Sequence, residues 1–385
     1  MKFSKEIGES LTLKFGQIAK DLASQGKDII SMAVGEPNFS TPKFIEEATI
    51  KALKDGYTHY SNSQGLIELR NYIAQDINNT YKTHYAASDV IVTPGVKAGL
   101  HLALSAILEP GDEVIIISPY YVSYPPLIKI AEPDADIIDV PLDKNNNIDL
   151  IALEKAFTPK TKCIIMNSPN NPTGKIITEQ EIEQIISFAR KFNSFILTDE
   201  IYDKLLYKNH HFYSLVGRGV DDLVIYANGY SKSYCLTGWR IGYVVAPKLV
   251  LEKMLKLQQN IHTNVNSFVQ KGVCSIYENA TTHLDLYLPE LEARVNKLDN
   301  FLKKSKIMKG VKPEAGFFYF VDISRSNLTS LDFAELLIKE TGIVVTPGIG
   351  FGPLFDNHVR FSLAVDNHTL DLVLSKLRKF EGDCF

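Results

Sequence analysis

Cysteine is scarce in this chain of 385 residues, and long apolar runs are missing from it. Cys163, Cys235, Cys274 and Cys384 lie far apart and have neither CxxC nor Cys/His ligand spacing, so we expect neither a disulfide framework nor a metal site. Cys163 lies in an apolar run, which predicts a buried, reduced thiol. No stretch approaches the ~18 consecutive apolar residues that a membrane helix needs, and residues 1–7 lack the apolar core of a signal peptide. We therefore expect a cytoplasmic protein without a membrane segment.

A charge excess of one sign is missing as well, since 41 basic residues face 45 acidic ones and the formal net charge is -4. The lysines are spread along the chain, often beside acidic residues, which is typical of a solvated surface, so we expect no nucleic-acid partner. No linker rich in serine, glycine or proline divides the chain. Its length and its hydrophobic content of 45% predict a sizeable core, in two unequal domains or in one large domain with a cap.

Short apolar runs alternate with amphipathic segments between about residues 89 and 246. The runs lack alternation of apolar and polar residues, which favours strands buried on both faces of a mostly parallel sheet. We predict strands at 90–92, 113–117, 162–166, 195–198, 223–226 and 241–245. A helix is predicted from Thr178 to Asn193, because residues 178–181 have the sequence of a capping box. The alternation indicates an α/β fold, with helices on both sides of a mostly parallel mixed sheet.

The two ends of the chain have a different pattern. Residues 1–40 hold one amphipathic segment and a turn, while the C-terminal part mixes helices with strands. We predict helices at 291–304, 331–340 and 366–380 and strands at 317–320 and 359–363. Both ends together predict a smaller α+β domain of residues 1–40 and 291–385, beside a large α/β domain of residues 41–290.

The most informative stretch is 229–242, where Lys232 lies in a turn rich in serine and glycine and Arg240 follows eight residues later. A lysine amine whose pKa is lowered by burial or by nearby cations can attack a carbonyl group. Hydroxyl, backbone and guanidinium groups of the same stretch suit the phosphate of an aldehyde cofactor. A lysine in such a turn is most often a surface lysine, so this interpretation depends on the other segments.

Asp199 and Tyr202 follow the predicted strand at 195–198. Ligands of open α/β sheets gather at the carboxyl ends of the strands, so Asp199 is placed to keep a heterocyclic nitrogen protonated. Tyr202 is placed to hydrogen-bond a phenolic oxygen of the same ring. Alternatively, Asp199 caps a following helix and Tyr202 is a packed tyrosine.

Further segments that follow predicted strands offer groups to a ligand. The glycines of 93–100 let a phosphate approach backbone N–H groups at a helix N-terminus. The prolines of 167–174 fix a loop that aims the amide of Asn171 at a ligand, and 119–124 offers aromatic faces for stacking. Read without a ligand, the same segments are a common strand–helix turn, a Pro/Asn turn and core aromatics. Arg360, inside an apolar strand, is expected to bind a carboxylate or else to form an internal salt bridge.

Taken together, these segments resemble the class I/II aminotransferases, fold-type I enzymes that use pyridoxal 5′-phosphate. The likeness is carried, in order along nearly the whole chain, by residues 33–39, 60–70, 93–98, 118–124, 167–174, 198–202, 231–232, 237–240 and 359–360. It implies the fold-type I architecture and a ping-pong reaction. One amino acid leaves its amino group on the cofactor and departs as a 2-oxo acid, and a second oxo acid then takes the amino group.

The resemblance assigns roles around the cofactor ring. Lys232 matches the lysine that holds the cofactor covalently and moves the Cα proton, and Asp199 matches the partner of the pyridine nitrogen. Tyr202 and Asn171 match the ligands of the ring oxygen. Tyr121 occupies the stacking position, where aspartate-type relatives usually carry tryptophan.

The phosphate of the cofactor is assigned to another set of matching positions. Ser231 and Arg240 supply side chains, and Gly95, Val96 and Lys97 supply backbone groups.

Substrate-binding positions and one position at a subunit interface complete the resemblance. Arg360 matches the clamp on the substrate α-carboxylate, with Gly35, Asn171 and Tyr121 around it. Tyr60 matches a tyrosine that reaches the phosphate of the neighbouring subunit. The resemblance therefore implies a homodimer with shared active sites.

The substrate is less determined than the reaction. Lys97 occupies the position of a lysine that meets the side-chain carboxylate of the substrate in prokaryotic-type aspartate aminotransferases, which favours aspartate and glutamate with 2-oxoglutarate as acceptor. Tyr121 and His262 depart from that branch and leave aromatic, broad or specialised specificity open.

Two different functions could use the same fold. One is a C–S lyase or another elimination enzyme, which would need the same lysine, aspartate and tyrosine as a transaminase. The second is a sensing domain of a transcription regulator. For that function, residues 1–40 are too short and not basic enough to supply a DNA-binding domain.

Overall fold

The computed structural model describes residue 8 and residues 10–279 and 283–385. Its α-helices are α1 (Leu11–Ser24), α2 (Lys43–Lys54), α3 (Ile67–Tyr81), α4 (Val96–Ile107), α5 (Tyr124–Ala131), α6 (Leu150–Ala156), α7 (Glu179–Phe192), α8 (Lys248–Ile261), α9 (Ser267–Glu278), α10 (His283–Leu302), α11 (Ser330–Thr341) and α12 (Asn367–Cys384). Its strands are β1 (Ile30–Ser31), β2 (Val90–Thr93), β3 (Glu113–Ser118), β4 (Asp136–Pro141), β5 (Thr161–Asn167), β6 (Phe195–Asp199), β7 (Val224–Gly229), β8 (Gly242–Val245), β9 (Phe318–Asp322), β10 (Ile343–Val344), β11 (Thr346–Pro347) and β12 (His358–Ser362). Among these described helices, none has the length and apolar character to cross a membrane.

A seven-stranded sheet in the order β2-β8-β7-β6-β5-β3-β4 carries the large α/β part. β8 runs antiparallel to β2 and β7 and the other neighbours are parallel, so the predicted mixed, mostly parallel sheet is confirmed. Nearly every residue of β2, β5, β6, β7 and β8 is buried, as expected for strands covered on both faces. Cys163 in β5 is buried too.

Because β3, β5, β6 and β7 are parallel, their carboxyl ends lie at the same edge of the sheet.

Strand β4 is missing from the sequence prediction. It lies at the edge of the sheet, and all but one of its residues are exposed or half-buried. An edge strand that faces solvent has no continuous apolar run, so the criterion that finds the buried strands passes over it.

Helix α7 begins as its sequence predicts. Thr178 Oγ1 accepts a hydrogen bond from Glu181 N–H at 3.2 Å, and Glu181 Oε2 accepts one from Thr178 N–H at 2.7 Å, which completes the capping box. Glu181 is buried, and its other oxygen accepts a hydrogen bond from Ile148 N–H at 2.9 Å. The helix ends at Phe192 and is capped by Asn193, which has the left-handed conformation with φ 53°.

Residues near the two termini pack together. β1 pairs in parallel with β10, and Ser362 N–H donates to Met32 O at 2.7 Å. β9, β11 and β12 form an antiparallel sheet, and α10, α11 and α12 share its apolar core. The C-terminal elements of the sequence prediction are present, although α10 begins eight residues before residue 291 and contains Pro289. The domain boundaries at residues 41 and 290 stay a prediction.

Candidate active site

A cavity of about 740 Å³ lies at the carboxyl ends of β5 and β6, and α1 forms one of its walls. Most of the site residues predicted from the sequence line this cavity: Gly35, Val96, Lys97, Tyr121, Asn171, Asp199, Tyr202, Ser231, Lys232, Arg240 and Arg360. They come from segments spread over more than 300 residues, so the fold brings together what the sequence keeps apart.

Lys232 lies in the turn after β7 and reaches into the cavity. Its Nζ donates a hydrogen bond to Gly35 O at 2.5 Å, and Tyr287 O–H holds the adjacent backbone through Ser233 O at 2.7 Å. Burial lowers the pKa of Lys232 to about 8, with Arg360 acting in the same direction. An amine with this pKa has a neutral fraction near neutral pH, as a carbonyl-attacking lysine requires.

Asp199 ends β6 and is buried. Its Oδ2 accepts a hydrogen bond from Tyr124 O–H at 3.0 Å, and its Oδ1 accepts one from Ile201 N–H at 3.3 Å. Residues 201–204 form a turn, so the interpretation of Asp199 as a helix cap is wrong. Burial raises the pKa of Asp199 to about 6, and no ion pair within the described residues involves it. A buried carboxylate that makes no ion pair suits a protonated ring nitrogen.

Arg360 is fully buried in β12. Its Nη1 donates to Asn171 Oδ1 at 3.0 Å and its Nη2 to Ala33 O at 2.7 Å, while the guanidinium lies 4.2 Å from the centre of the Phe318 ring. Burial lowers the pKa of Arg360 to about 10, and its Nε has no hydrogen-bond partner among the residues that the structure describes. Arg360 takes part in no internal salt bridge within the part of the chain that the structure describes. A buried guanidinium at a cavity wall fits an anionic ligand.

The loop 167–174 supports both of these buried groups. Asn167 Nδ2 donates to the carbonyl of Asp199 at 2.9 Å, and Asn167 Oδ1 accepts from Asn171 N–H at 2.8 Å. Asn171 in turn binds Arg360. The loop therefore connects β6 to β12 through side-chain hydrogen bonds, which an ordinary Pro/Asn turn would not do.

Tyr202 packs edge-on against Phe317 and Phe318, and burial raises the pKa of its hydroxyl group.

The turn before α4 has the shape of an anion cradle. Gly95 has φ +84°, a conformation that favours glycine, and a Cβ there would lie 2.6 Å from Arg240 Nη2, so the turn and the guanidinium lie close together. The first turn of α4 leaves the N–H groups of Val96 and Lys97 without helical acceptors. Arg240 Nη1 donates to Thr237 O at 2.8 Å, which holds the guanidinium beside this turn. Backbone N–H groups, a helix N-terminus and an arginine suit a phosphate.

The aromatic segment after β3 divides into two roles. Tyr121 lines the cavity, with Lys97 Nζ 5.5 Å from the centre of its ring. Tyr124 is buried and binds Asp199, a role that the sequence does not indicate. The interpretation as core aromatics therefore holds for Tyr124, and a face for stacking is available on Tyr121.

Several lining residues are not predicted from the sequence. One face of α1 lines the cavity through Thr12, Leu13, Gly16, Gln17 and Lys20, and Glu36, Thr237 and Asn167 line it as well. The spacing of residues 12, 16 and 20 is helical and leaves small and polar groups on one face, which is the signal that the sequence offers.

Two residues lie away from the cavity. Tyr60 is 88% exposed, and His262 follows the last residue of α8 and lies near His101; neither residue lines the cavity within the described chain.

The residues present fit a pyridoxal phosphate. The cradle at Gly95 suits the phosphate, the buried Asp199 suits a protonated ring nitrogen, and Lys232 supplies an amine with a lowered pKa for the aldehyde. Arg360 suits a carboxylate of a substrate. These groups lie in one cavity, so they can act on one bound molecule.

Comparison with known proteins agrees with this chemistry. The family model "Aminotransferase class I and II" matches residues 27–377. The chain is 35% identical over 368 residues to an aspartate aminotransferase of Pyrococcus horikoshii, covering 94% of this chain and 93% of that protein. It is 34% identical to aromatic-amino-acid aminotransferase 2 of Thermococcus litoralis, with 93% of each chain covered. The crystal structure of an aspartate aminotransferase from Thermotoga maritima is similar with a TM-score of 0.93, at 32% identity and with 100% of both chains covered.

Proposed function

This chain belongs to the class I and II aminotransferases and is a pyridoxal-phosphate-dependent transaminase, and we propose that its preferred amino donor has an acidic side chain. The transferred group passes from an amino acid to a 2-oxo acid. An elimination reaction on the same fold is not favoured by the family or by the aspartate and aromatic aminotransferases that the chain resembles.

The charge balance of the cavity supports the acidic donor. Its lining has the basic residues Lys20, Lys97, Lys232, Arg240 and Arg360 and the acidic residues Glu36 and Asp199. The cofactor phosphate takes Arg240, the α-carboxylate takes Arg360, and Lys232 and Asp199 serve the ring. Glu36 accepts a hydrogen bond from Thr237, so Lys20 and Lys97 remain for the side chain of the donor, which favours a negative group there.

In the proposed complex, one set of residues contacts the cofactor ring and another holds its phosphate. Asp199 binds the ring nitrogen, Tyr202 and Asn171 bind the ring oxygen, and Tyr121 stacks on the ring. The phosphate is held by Ser231 and Arg240 and by backbone groups of Gly95, Val96 and Lys97. Bound there, pyridoxal phosphate supplies an electron sink for the charge that develops at Cα of the amino acid.

The residues around the substrate then divide binding from proton transfer. Arg360 and Gly35 orient the α-carboxylate, and the buried Arg360 can grip it through two parallel hydrogen bonds. Lys232 Nζ would take up the proton that leaves Cα of the donor, and in the second half-reaction it would deliver a proton to Cα of the amino acid that forms. A pKa of about 8 places this amine close to the range in which a general base works best near neutral pH.

We also propose that two chains form a homodimer with shared sites. Tyr60 is 88% exposed and Ile67 is 58% exposed, in a segment that Gln258 holds through Ser63 O and Ser267 through His59 O. An exposed aromatic and aliphatic surface on a segment that is fixed by hydrogen bonds is typical of a subunit interface.

We also propose a cytoplasmic location, because the four cysteines are scattered along the chain and show no pattern of disulfide pairing.

Half-reactions of the holoenzyme with single amino acids test the donor. Each of aspartate, glutamate, alanine, phenylalanine and leucine is added separately, and the decrease in absorbance of the lysine-bound form of the cofactor is followed over time. We expect aspartate or glutamate to react with the highest second-order rate constant, by about 10-fold or more over neutral donors. A neutral or aromatic donor that reacts fastest would overturn the acidic proposal and leave the transaminase assignment intact.

A further inference from the structure

The turn 35–41, between β1 and α2, contacts the loop that carries Lys232 and helix α10. Gly35 O accepts from Lys232 Nζ, and Thr41 Oγ1 donates to Cys235 O at 2.9 Å. On its other side, Asn38 Oδ1 accepts from Arg294 Nη1 of α10 at 2.9 Å. The turn is therefore tied to the loop that carries the lysine and to the helix behind it.

Glu36 makes a contact in this turn that binding of the cofactor and the substrate does not explain. Its Oε2 accepts a hydrogen bond from Thr237 Oγ1 at 2.8 Å, across 201 residues of sequence. Thr237 O accepts from Arg240 Nη1, the side chain at the phosphate cradle. Glu36 thus joins the Gly35 carbonyl, on the substrate side, to the segment that orients Arg240, on the phosphate side.

Glu36 is also a negative charge at the edge of the cavity. The charged and titratable groups that face Lys232 are Arg360, Arg240, Glu36, Asp199 and Cys235. The two arginines lower the pKa of Lys232, whereas Glu36 and Asp199 raise it. In the cofactor-free protein, Glu36 and Asp199 are therefore the two negative charges that oppose the arginines.

We propose that Glu36 is a positioning residue that clamps the turn 35–41 to the loop 232–240 through Thr237 and balances the two arginines around Lys232. The clamp couples the α-carboxylate side of the cavity to the phosphate side. This inference rests on the assignment of Lys232 and Arg240 in the proposed function and is independent of the preferred donor.

Matched variants separate the hydrogen bond from the charge. Glu36→Gln keeps an oxygen that accepts from Thr237 and removes the charge. Thr237→Val removes the hydroxyl and keeps the charge, and Thr237→Ser restores a hydroxyl. Glu47→Gln, on the exposed side of α2, changes the net charge of the protein equally without facing Lys232.

The first measurement uses no cofactor and no substrate. The cofactor-free full chain is trace-labelled with acetic anhydride across pH 6 to 10, and the acetylated Lys232 peptide is quantified by mass spectrometry. Because Glu36 raises the pKa of Lys232, we expect Glu36→Gln to shift the labelling midpoint to lower pH. Thr237→Val should shift it less, and Glu47→Gln should leave it unchanged. Circular dichroism checks that each variant is folded.

The second measurement reports the clamp through pyridoxamine 5′-phosphate, a probe that has no aldehyde and so does not depend on the reactivity of Lys232. Glu36→Ala and Thr237→Val should each weaken its binding by about 5-fold, the effect of one hydrogen bond, and the double variant should be no weaker than either single one. Thr237→Ser should bind as the wild type does.

Two outcomes overturn the inference. One is an unchanged labelling midpoint in Glu36→Gln, and the other is full additivity of Glu36→Ala and Thr237→Val in binding of the probe. Neither outcome depends on which amino acid is the donor, so the acidic-donor proposal can fail while this one stands, and the reverse also holds.

Discussion

The two sides of the active-site cavity are built differently. On the reaction side, Asp199 is 4% and Arg360 1% exposed, and both groups lie on strands and hydrogen-bond to neighbouring side chains or backbone. On the side-chain side, Lys97 and Lys20 are exposed and lie on α4 and α1. Among the described residues, the Lys97 ammonium makes no hydrogen bond and no ion pair. Its described aromatic contact is with the ring of Tyr121.

This difference explains why the reaction class is easier to establish than the substrate. Buried charged groups need defined partners, so the structure constrains what they bind. Exposed lysines keep their conformational freedom and are screened by solvent, so their preference is smaller and depends on the bound substrate. We therefore expect substitutions on the reaction side to affect every substrate, and substitutions on the other side to change selectivity.

The largest effect is expected for Lys232→Ala on the reaction side. Without the amine, transamination of every donor should fall to background, because Lys232 both holds the aldehyde and moves the Cα proton in the proposed reaction. Steady-state assays and circular dichroism would check this. A variant that keeps measurable turnover with an unchanged fold would place the reactive lysine elsewhere.

Asp199→Asn should reduce the rate by a factor on the order of 10² or more for all donors, because an electron sink without its charge partner stabilises the developing carbanion poorly. Single-turnover kinetics separate this loss from binding. Near-normal rates in the asparagine variant would mean that Asp199 serves only to hold Tyr124 and the turn after β6.

Arg360→Lys tests the clamp on the α-carboxylate. A lysine keeps the charge and loses the planar pair of donors, so kcat/KM should fall by about 100-fold for acidic and neutral donors alike. We expect KM for the amino acid to rise, and the absorbance spectrum of the bound cofactor to change little. A loss restricted to acidic donors would instead place Arg360 at the substrate side chain.

The smallest and most selective effect is expected for Lys97→Ala. Loss of a charge-assisted contact of roughly 1.5–3 kcal/mol predicts a decrease of about 10- to 100-fold in kcat/KM for aspartate or glutamate. Alanine and phenylalanine should react nearly as before, and Lys20→Ala serves as a second probe of the same side. Equal losses for all donors would show that Lys97 acts through the cofactor alone.

Much of the fold is predictable from the sequence, for a physical reason. Strands buried on both faces must be apolar throughout, so β5 and β6 are found from their composition. The capping box at Thr178 is a local hydrogen-bond pattern and needs no tertiary information. β4 is missed because an edge strand is held by its neighbour, and the early start of α10 is missed because Pro289 argues locally against a helix.

The site is predictable where a residue follows a buried strand or belongs to a specific motif. Asp199, Lys232 and Arg360 are of this kind, and they line one cavity. Tyr124, Glu36 and the face of α1 are missed because their roles exist only after distant segments pack together. The hydrogen bond between Glu36 and Thr237 spans 201 positions, a separation that no local pattern indicates.

The position of the covalent bond to the cofactor is the most direct test of the reaction side. The wild-type holoenzyme is reduced with borohydride, digested and mapped by mass spectrometry. We predict a pyridoxyl label on Lys232 alone, with Lys97 and Lys20 unmodified although they line the same cavity. A label on either of those lysines, or on any other lysine, would contradict the assignment of the reaction side.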